Sequence, residues 1–152
     1  MRPLWERYYR DIHAVAFVID ISPTCDVSKL MEARAFFRCM RDDEALQGVP
    51  VLIFANKTDT RRLLKSVDDE DEDSSLLLGD TSLLDIAELF LSPPKGASRR
   101  NLMSKLEDFV ENDGVSMFAG SATTGEGVRA AFEWLIQMGA ARVRQGEKEE
   151  IS

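Results

Sequence analysis

Two short polar stretches combine residue types and spacings that suit recognition of a flat heterocycle. Asn56-Lys57-Thr58-Asp59 ends the apolar run VLIFA, and Ser121-Ala122-Thr123 follows VSMFAG. A carboxylate offers two acceptor oxygens side by side, and guanine offers N1–H and the exocyclic N2–H2 side by side. Asp59 therefore matches guanine as a bidentate, charge-assisted pair. Adenine lacks those donors and would leave the carboxylate unpaired, the kind of mismatch by which a polar site rejects an analogue ~10⁴-fold. The aliphatic stem of Lys57 can lie along a purine face while its head stays in water. Asn56 can accept and donate at once, so it can tie its own loop to the loop after the next strand. Ala122 has no bulk to obstruct a planar ligand, its backbone N–H can reach the purine O6, and Ser121 can brace the turn.

Such convergence requires both stretches to end strands of one sheet. HAVAFVID, His13 to Asp20, reads as a strand buried on both faces, closed by an acid and a Ser-Pro turn. Leu30, Ala33, Phe37 and Met40 then recur at helical spacing, with Asp26 or Ser28 as cap and with Phe36 and Phe37 as core. VPVLIFAN, Val49 to Asn56, is a second buried strand, and VSMFAGS, Val115 to Ser121, is a third. Between them, the acidic run Asp68 to Asp73 reads as a solvated loop, since no Gly supplies the turn that a calcium loop needs. Leu83 to Leu91 reads as a short helix stopped by Ser92-Pro93-Pro94, and Leu102, Leu106, Phe109 and Val110 stripe another after Ser98. Val128, Ala131, Phe132, Leu135 and Met138 define a last amphipathic helix ending near Gly139, and residues 144–152 form a polar, frayed tail. Strands separated by helical crossovers imply a parallel sheet in an α/β layer fold, whose ligands bind beyond the carboxyl ends of the strands.

The bulk composition excludes several classes. The 152 residues carry a formal net charge of −8, which disfavours nucleic acid and anionic membrane surfaces as partners. No apolar run approaches the ~20 residues of a membrane span. MRPLWERYYR is not a signal peptide, because its charges are interleaved with aromatics. Cys25 and Cys39 read as reduced thiols, and the sole histidine, His13, leaves no material for a zinc site or a Ser-His relay. Asn56-Lys57-Thr58 is formally a glycosylation sequon, but it follows a buried strand and reads as unmodified.

With these residues in place, the sequence resembles the Ras-like small GTPases, in the Arf and Arf-like branch. Asn56-Lys57-Thr58-Asp59 matches their NKxD base-specificity motif, and Ser121-Ala122-Thr123 matches their second base loop in its Ala-Thr form. RPLWERYY, Arg2 to Tyr9, is similar to the branch's switch II segment, and AVAFVIDIS, Ala14 to Ser22, is similar to the strand after it. The resemblance implies a guanine half-site built from Asn56, Lys57, Asp59, Ser121, Ala122 and Thr123. It implies GTP or GDP as cofactor, and a switch function in intracellular membrane traffic. It further implies a cytoplasmic location, peripheral to endomembranes in the full-length form, and a Trp5, Tyr8 and Tyr9 surface read by exchange factors or effectors.

The chain also departs from that pattern. Gly120 to Gly125 has the glycine spacing of a phosphate loop, but Glu126 and Gly127 stand where Lys and Ser/Thr are needed. The phosphate loop, the first switch with its magnesium-binding Thr and the segment that positions the attacking water have no counterpart. The expectation is an incomplete three-layer small-GTPase (P-loop NTPase-like) fold: a parallel three-strand sheet with flanking helices over residues 1–143, in which residues 61–114 hold an acidic loop and a helical insertion. Met1 reads as an internal methionine used as a start. Without phosphate and Mg²⁺ contacts, hydrolysis should be absent. Guanosine, with about 20 heavy atoms at roughly 0.3 kcal/mol each, should reach only about −6 kcal/mol, or tens of micromolar. Val15, Phe17 and Ile19 are expected on an unpaired sheet edge, with part of Phe132, Trp134 or Leu135 uncovered. The chain alone should then be marginally stable or pair through that edge. The alternative is a non-nucleotide interaction module that uses this edge and the Trp5–Tyr9 surface.

Overall fold

The structure is a computed structural model, and it describes residue 9 and residues 11–60, 83–91 and 114–150. The acidic run, the helix expected after Ser98 and the aromatics Trp5 and Tyr8 lie outside these residues. In chain order the elements are β1 (Val15–Asp20), α1 (Val27–Arg41), a 3₁₀ turn (Glu44–Leu46), β2 (Val51–Asn56), α2 (Leu83–Leu91), β3 (Val115–Ala119) and α3 (Val128–Glu150). The three strands form one sheet in the order β1-β2-β3. Both pairings are parallel, in registers that set Asp20 beside Asn56 and Ala55 beside Ala119. The expected parallel α/β sheet with flanking helices is the observed fold.

β2 is the centre of the molecule because both of its faces are covered. Val51, Ile53 and Ala55 join Ile19, Ile21, Leu30, Phe37, Ile86 and Phe90 in a core beneath α1 and α2. Leu52 and Phe54 point the other way and pack with Ala131 and Leu135 of α3. The period-2 alternation of a strand thus feeds two cores, which explains why VLIFA is continuously apolar. On the first face, the Phe37 ring meets Phe17 edge-on with centroids 5.4 Å apart and Phe90 at 5.8 Å, the offset geometry that ring quadrupoles favour. α2 falls within residues 61–114, and its Ile86, Phe90 and Leu91 belong to this core.

Three expectations are corrected. β1 is not buried on both faces: Ile19 is buried, but Val18 is 56% exposed. α3 lies over β2 and leaves the Ala16–Val18 side of β1 open to solvent. For the same reason Phe132 is 38% exposed, while Leu135 is buried and Trp134 packs against Phe118. Phe36 is not core, being 46% exposed; the buried positions of α1 are Leu30 and Phe37, and Phe36 points about 100° away from Phe37 around the axis. Finally, α3 does not stop near Gly139 but runs to Glu150, through the segment expected to be a frayed tail. Gly139 is a packing glycine: a Cβ there would lie 3.3 Å from Ala14 Cβ, so its small size lets the helix cross the start of β1.

The start of α1 follows the expected rule. Asp26 is the N-cap, and its Oδ1 accepts from the Ser28 N–H at 2.8 Å. That bond holds the Asp26 carboxyl below its usual pKa.

Candidate functional site

The two polar stretches meet on the carboxyl rim of the sheet. Parallel pairing brings the ends of β2 and β3 to one side, so the turns after Asn56 and after Ala119 become neighbours. Thr58 N–H donates to Gly120 O at 3.1 Å, and Gly120 N–H donates to Ala55 O at 3.0 Å, continuing the strand ladder into both turns. Across this seam Asn56 Oδ1 accepts from the Ala122 N–H at 2.9 Å and from the Lys57 N–H at 2.9 Å. One side-chain oxygen, accepting twice, therefore ties the loops together, with no donation from the Asn56 amide in the bridge. The Ala122 N–H, expected to face a purine O6, is directed to Asn56 instead.

Ser121 braces its turn from within. It is fully buried, and its Oγ accepts from the N–H groups of Thr123 and Thr124, both at 3.2 Å. The surrounding glycines close the same turn. A Cβ on Gly120 would lie 2.1 Å from the Glu126 carbonyl oxygen, and one on Gly127 would lie 2.3 Å from that of Ala119. The glycine pattern that imitates a phosphate loop serves a strand-to-helix turn in which backbones nearly touch. Ala122 and Thr123 are exposed on its outer side.

Lys57 has φ +75°, a left-handed conformation that costs a residue with a Cβ about 1 kcal/mol or more. Besides the bond from its N–H to Asn56, its carbonyl accepts from Thr60 Oγ1 at 2.7 Å. Its ammonium donates to Asp20 Oδ2 at 2.7 Å. Asp20 ends β1, and its other oxygen accepts from the Ser22 N–H at 2.8 Å. Burial by itself would raise the Asp20 pKa, but the bonds from Lys57 and Ser22 outweigh it and hold the carboxyl below its usual value. The same pair raises the Lys57 pKa. Both side chains are about half exposed, so the ion pair adds little to stability. A cavity of about 290 Å³ opens beside the pair and is lined further by Ser22, Thr24, Cys25 and Lys29.

Asp59 is half-buried, and its Oδ1 is buried without a hydrogen-bond donor among the described residues. An oxygen withheld from water and left unpaired is costly, and a pair of parallel N–H groups such as guanine's would satisfy it. The N–H of Ala122 is bonded to Asn56 and becomes available to a ligand only if Asn56 shares or releases it. Both cysteines are free, and burial raises the pKa of Cys25, which favours its neutral thiol. Among the described residues no group of three or more His, Cys, Asp or Glu could hold a metal ion.

Sequence reasoning missed Asp20 as a member of this rim. It read the residue as the acid closing a strand; the available signal was an acid at the end of an apolar strand that pairs in register with the strand bearing Asn56.

A parallel three-strand sheet with flanking helices is consistent with a small-GTPase domain. The chain matches the ADP-ribosylation factor family over residues 1–139 and belongs to that family. It is 31% identical over 137 residues to ADP-ribosylation factor-related protein 1 of Bos taurus, an alignment covering 90% of this chain and 52% of that protein. It is 27% identical over 136 residues to ADP-ribosylation factor-like protein 3 of Saccharomyces cerevisiae, with 90% and 52% covered. Over 64 residues, 42% of this chain and 30% of the relative, it is 41% identical to ADP-ribosylation factor-like protein 4A of Homo sapiens. The chain thus spans about half the length of the curated relatives it matches along most of its own length.

Proposed function

We propose that the rim of β2 and β3 is a guanine-recognition half-site. In it Asp59 takes the N1–H and N2–H2 edge, Lys57 lies along the base, and Asn56 with Ser121, Ala122 and Thr123 shapes the opposite wall. The observation that carries this reading is the Asn56 Oδ1 to Ala122 N–H bond, which joins the two turns; the Asp59 oxygen that is buried without a donor among the described residues adds to it. Family membership supports the rest of the proposal: GTP or GDP as ligand, a role as a nucleotide-dependent switch in intracellular membrane traffic, and a cytoplasmic, endomembrane-peripheral location. No helix among the described residues is long and apolar enough to cross a membrane. The chain's own residues supply base contacts, and we assign them no phosphate, magnesium or hydrolytic role.

Calorimetric titration with GDP and ADP tests this. GDP should bind with a dissociation constant of tens of micromolar or weaker, ADP should not compete, and Asp59→Asn should abolish the preference. Binding indifferent to Asp59 would remove the guanine assignment.

The exposed side chains of Val18, Phe132 and Ile136 favour a second reading, an interaction module that contacts a protein through this open face. It gains ground if GDP fails to bind and a Val18→Lys change alters association instead. Exchange-factor or effector contact through Trp5, Tyr8 and Tyr9 is part of the proposal; of these, only Tyr9 is among the described residues, and it is half-buried.

A further inference from the structure

We infer that Asp20 is a positioning residue of the base site: from the neighbouring strand it anchors the Lys57 ammonium, so that the lysine stem is already in place as the platform on which a guanine lies. The inference rests on the guanine reading of the rim and extends it to a third strand.

Three contacts fix this lysine and a fourth fixes its anchor. Its N–H is held by Asn56 Oδ1, its carbonyl by Thr60 Oγ1, and its Nζ by Asp20 Oδ2, while Asp20 is itself fixed through Oδ1 by the Ser22 N–H. Strand register, and not a loop, sets the anchor: Asp20 lies directly beside Asn56 in the β1–β2 pairing. A site carried on paired strands holds its geometry better than one carried on loops. A lysine side chain unrestrained in water samples many rotamers, and a base that stacked on it would have to order them all. Anchoring the head in advance removes that cost from binding. The Lys57 side chain is half exposed, so packing alone restrains its head little. Removal of Asp20 would therefore free the head while leaving the fold intact, since a half-exposed pair contributes little to stability.

The test is a GDP titration followed by NMR on four proteins: wild type, Asp20→Asn, Lys57→Gln and the double variant. Asp20→Asn should weaken GDP about 2- to 10-fold, the range for releasing one side chain that must then be ordered. The double variant should bind no more weakly than Lys57→Gln alone, because the carboxylate acts only through the lysine. The hydrogen-bonded Lys57 Nζ signal should be lost in Asp20→Asn, and the urea midpoint at neutral pH should stay near wild type. Asp20→Glu, which keeps the charge but displaces it, should fall between the two and decides the matter if Asp20→Asn folds poorly. Wild-type binding with an unchanged constant in Asp20→Asn, or losses that multiply in the double variant, would overturn the positioning role alone. A wild type that does not bind GDP at millimolar concentration would remove the base reading and this inference together.

Discussion

Ser121 and Asn56 each satisfy two backbone N–H groups with one oxygen, but in different surroundings. Ser121 is fully buried, so Ser121→Ala strands the N–H groups of Thr123 and Thr124 away from water and should cost about 1–3 kcal/mol in urea denaturation. Asn56 is only half-buried, and water can replace its oxygen in part, so Asn56→Ala should cost less, about 1 kcal/mol. The opposite order would mean that the seam between the loops, and not the brace within one of them, holds the rim. Asp20 adds a pH dependence of known sign. Its folded-state pKa lies below the ordinary 3.8, so its contribution is complete above that value and disappears as pH falls through the lowered one. Asp26 acts in the same direction, so acid destabilisation should be smaller, though not absent, in Asp20→Asn. Denaturation midpoints from pH 7 down to pH 3 check this.

The turn between β3 and α3 is set by backbone clearance. Gly120→Ala and Gly127→Ala would push a methyl into a carbonyl oxygen and should each cost at least about 2 kcal/mol. Gly125 also has a left-handed φ, +82°, but nothing lies within 4 Å of a Cβ there. Gly125→Ala should therefore cost only the conformational term, about 1 kcal/mol. If the three substitutions cost the same in thermal or urea unfolding, close approach is not what the turn requires. In α3 the same reasoning applies to Gly139, which a sequence pattern reads as a stop signal and the tertiary contact with Ala14 explains as a space-saver.

Seen as a whole, the sheet is covered on both faces at β2 and on one face at β1. Ile19→Ala should cost about 2–5 kcal/mol, as for a core deletion. The adjacent Val18→Lys should leave stability within about 0.5 kcal/mol of wild type. With Phe132 and Ile136, Val18 leaves an open apolar face, so the wild-type chain should self-associate with concentration in sedimentation velocity, and Val18→Lys should reduce that association. A destabilised Val18→Lys would show that this side of β1 is covered after all.

How much of this was legible beforehand depended on the range of the interactions. The three strands, the cap at Asp26, the helix over Leu83–Leu91 and the two polar strand ends follow from local periodicity and side-chain chemistry, which act within a few residues. Even the Asn56 bridge could be anticipated, because an amide between two strand ends has few other uses. The sequence alone could not tell that β1 is open on one side, that α3 passes through Gly139, or that Asp20 holds Lys57. Each of these depends on where one element lies over another, and the packing of distant segments sets that placement, not the residues at either position.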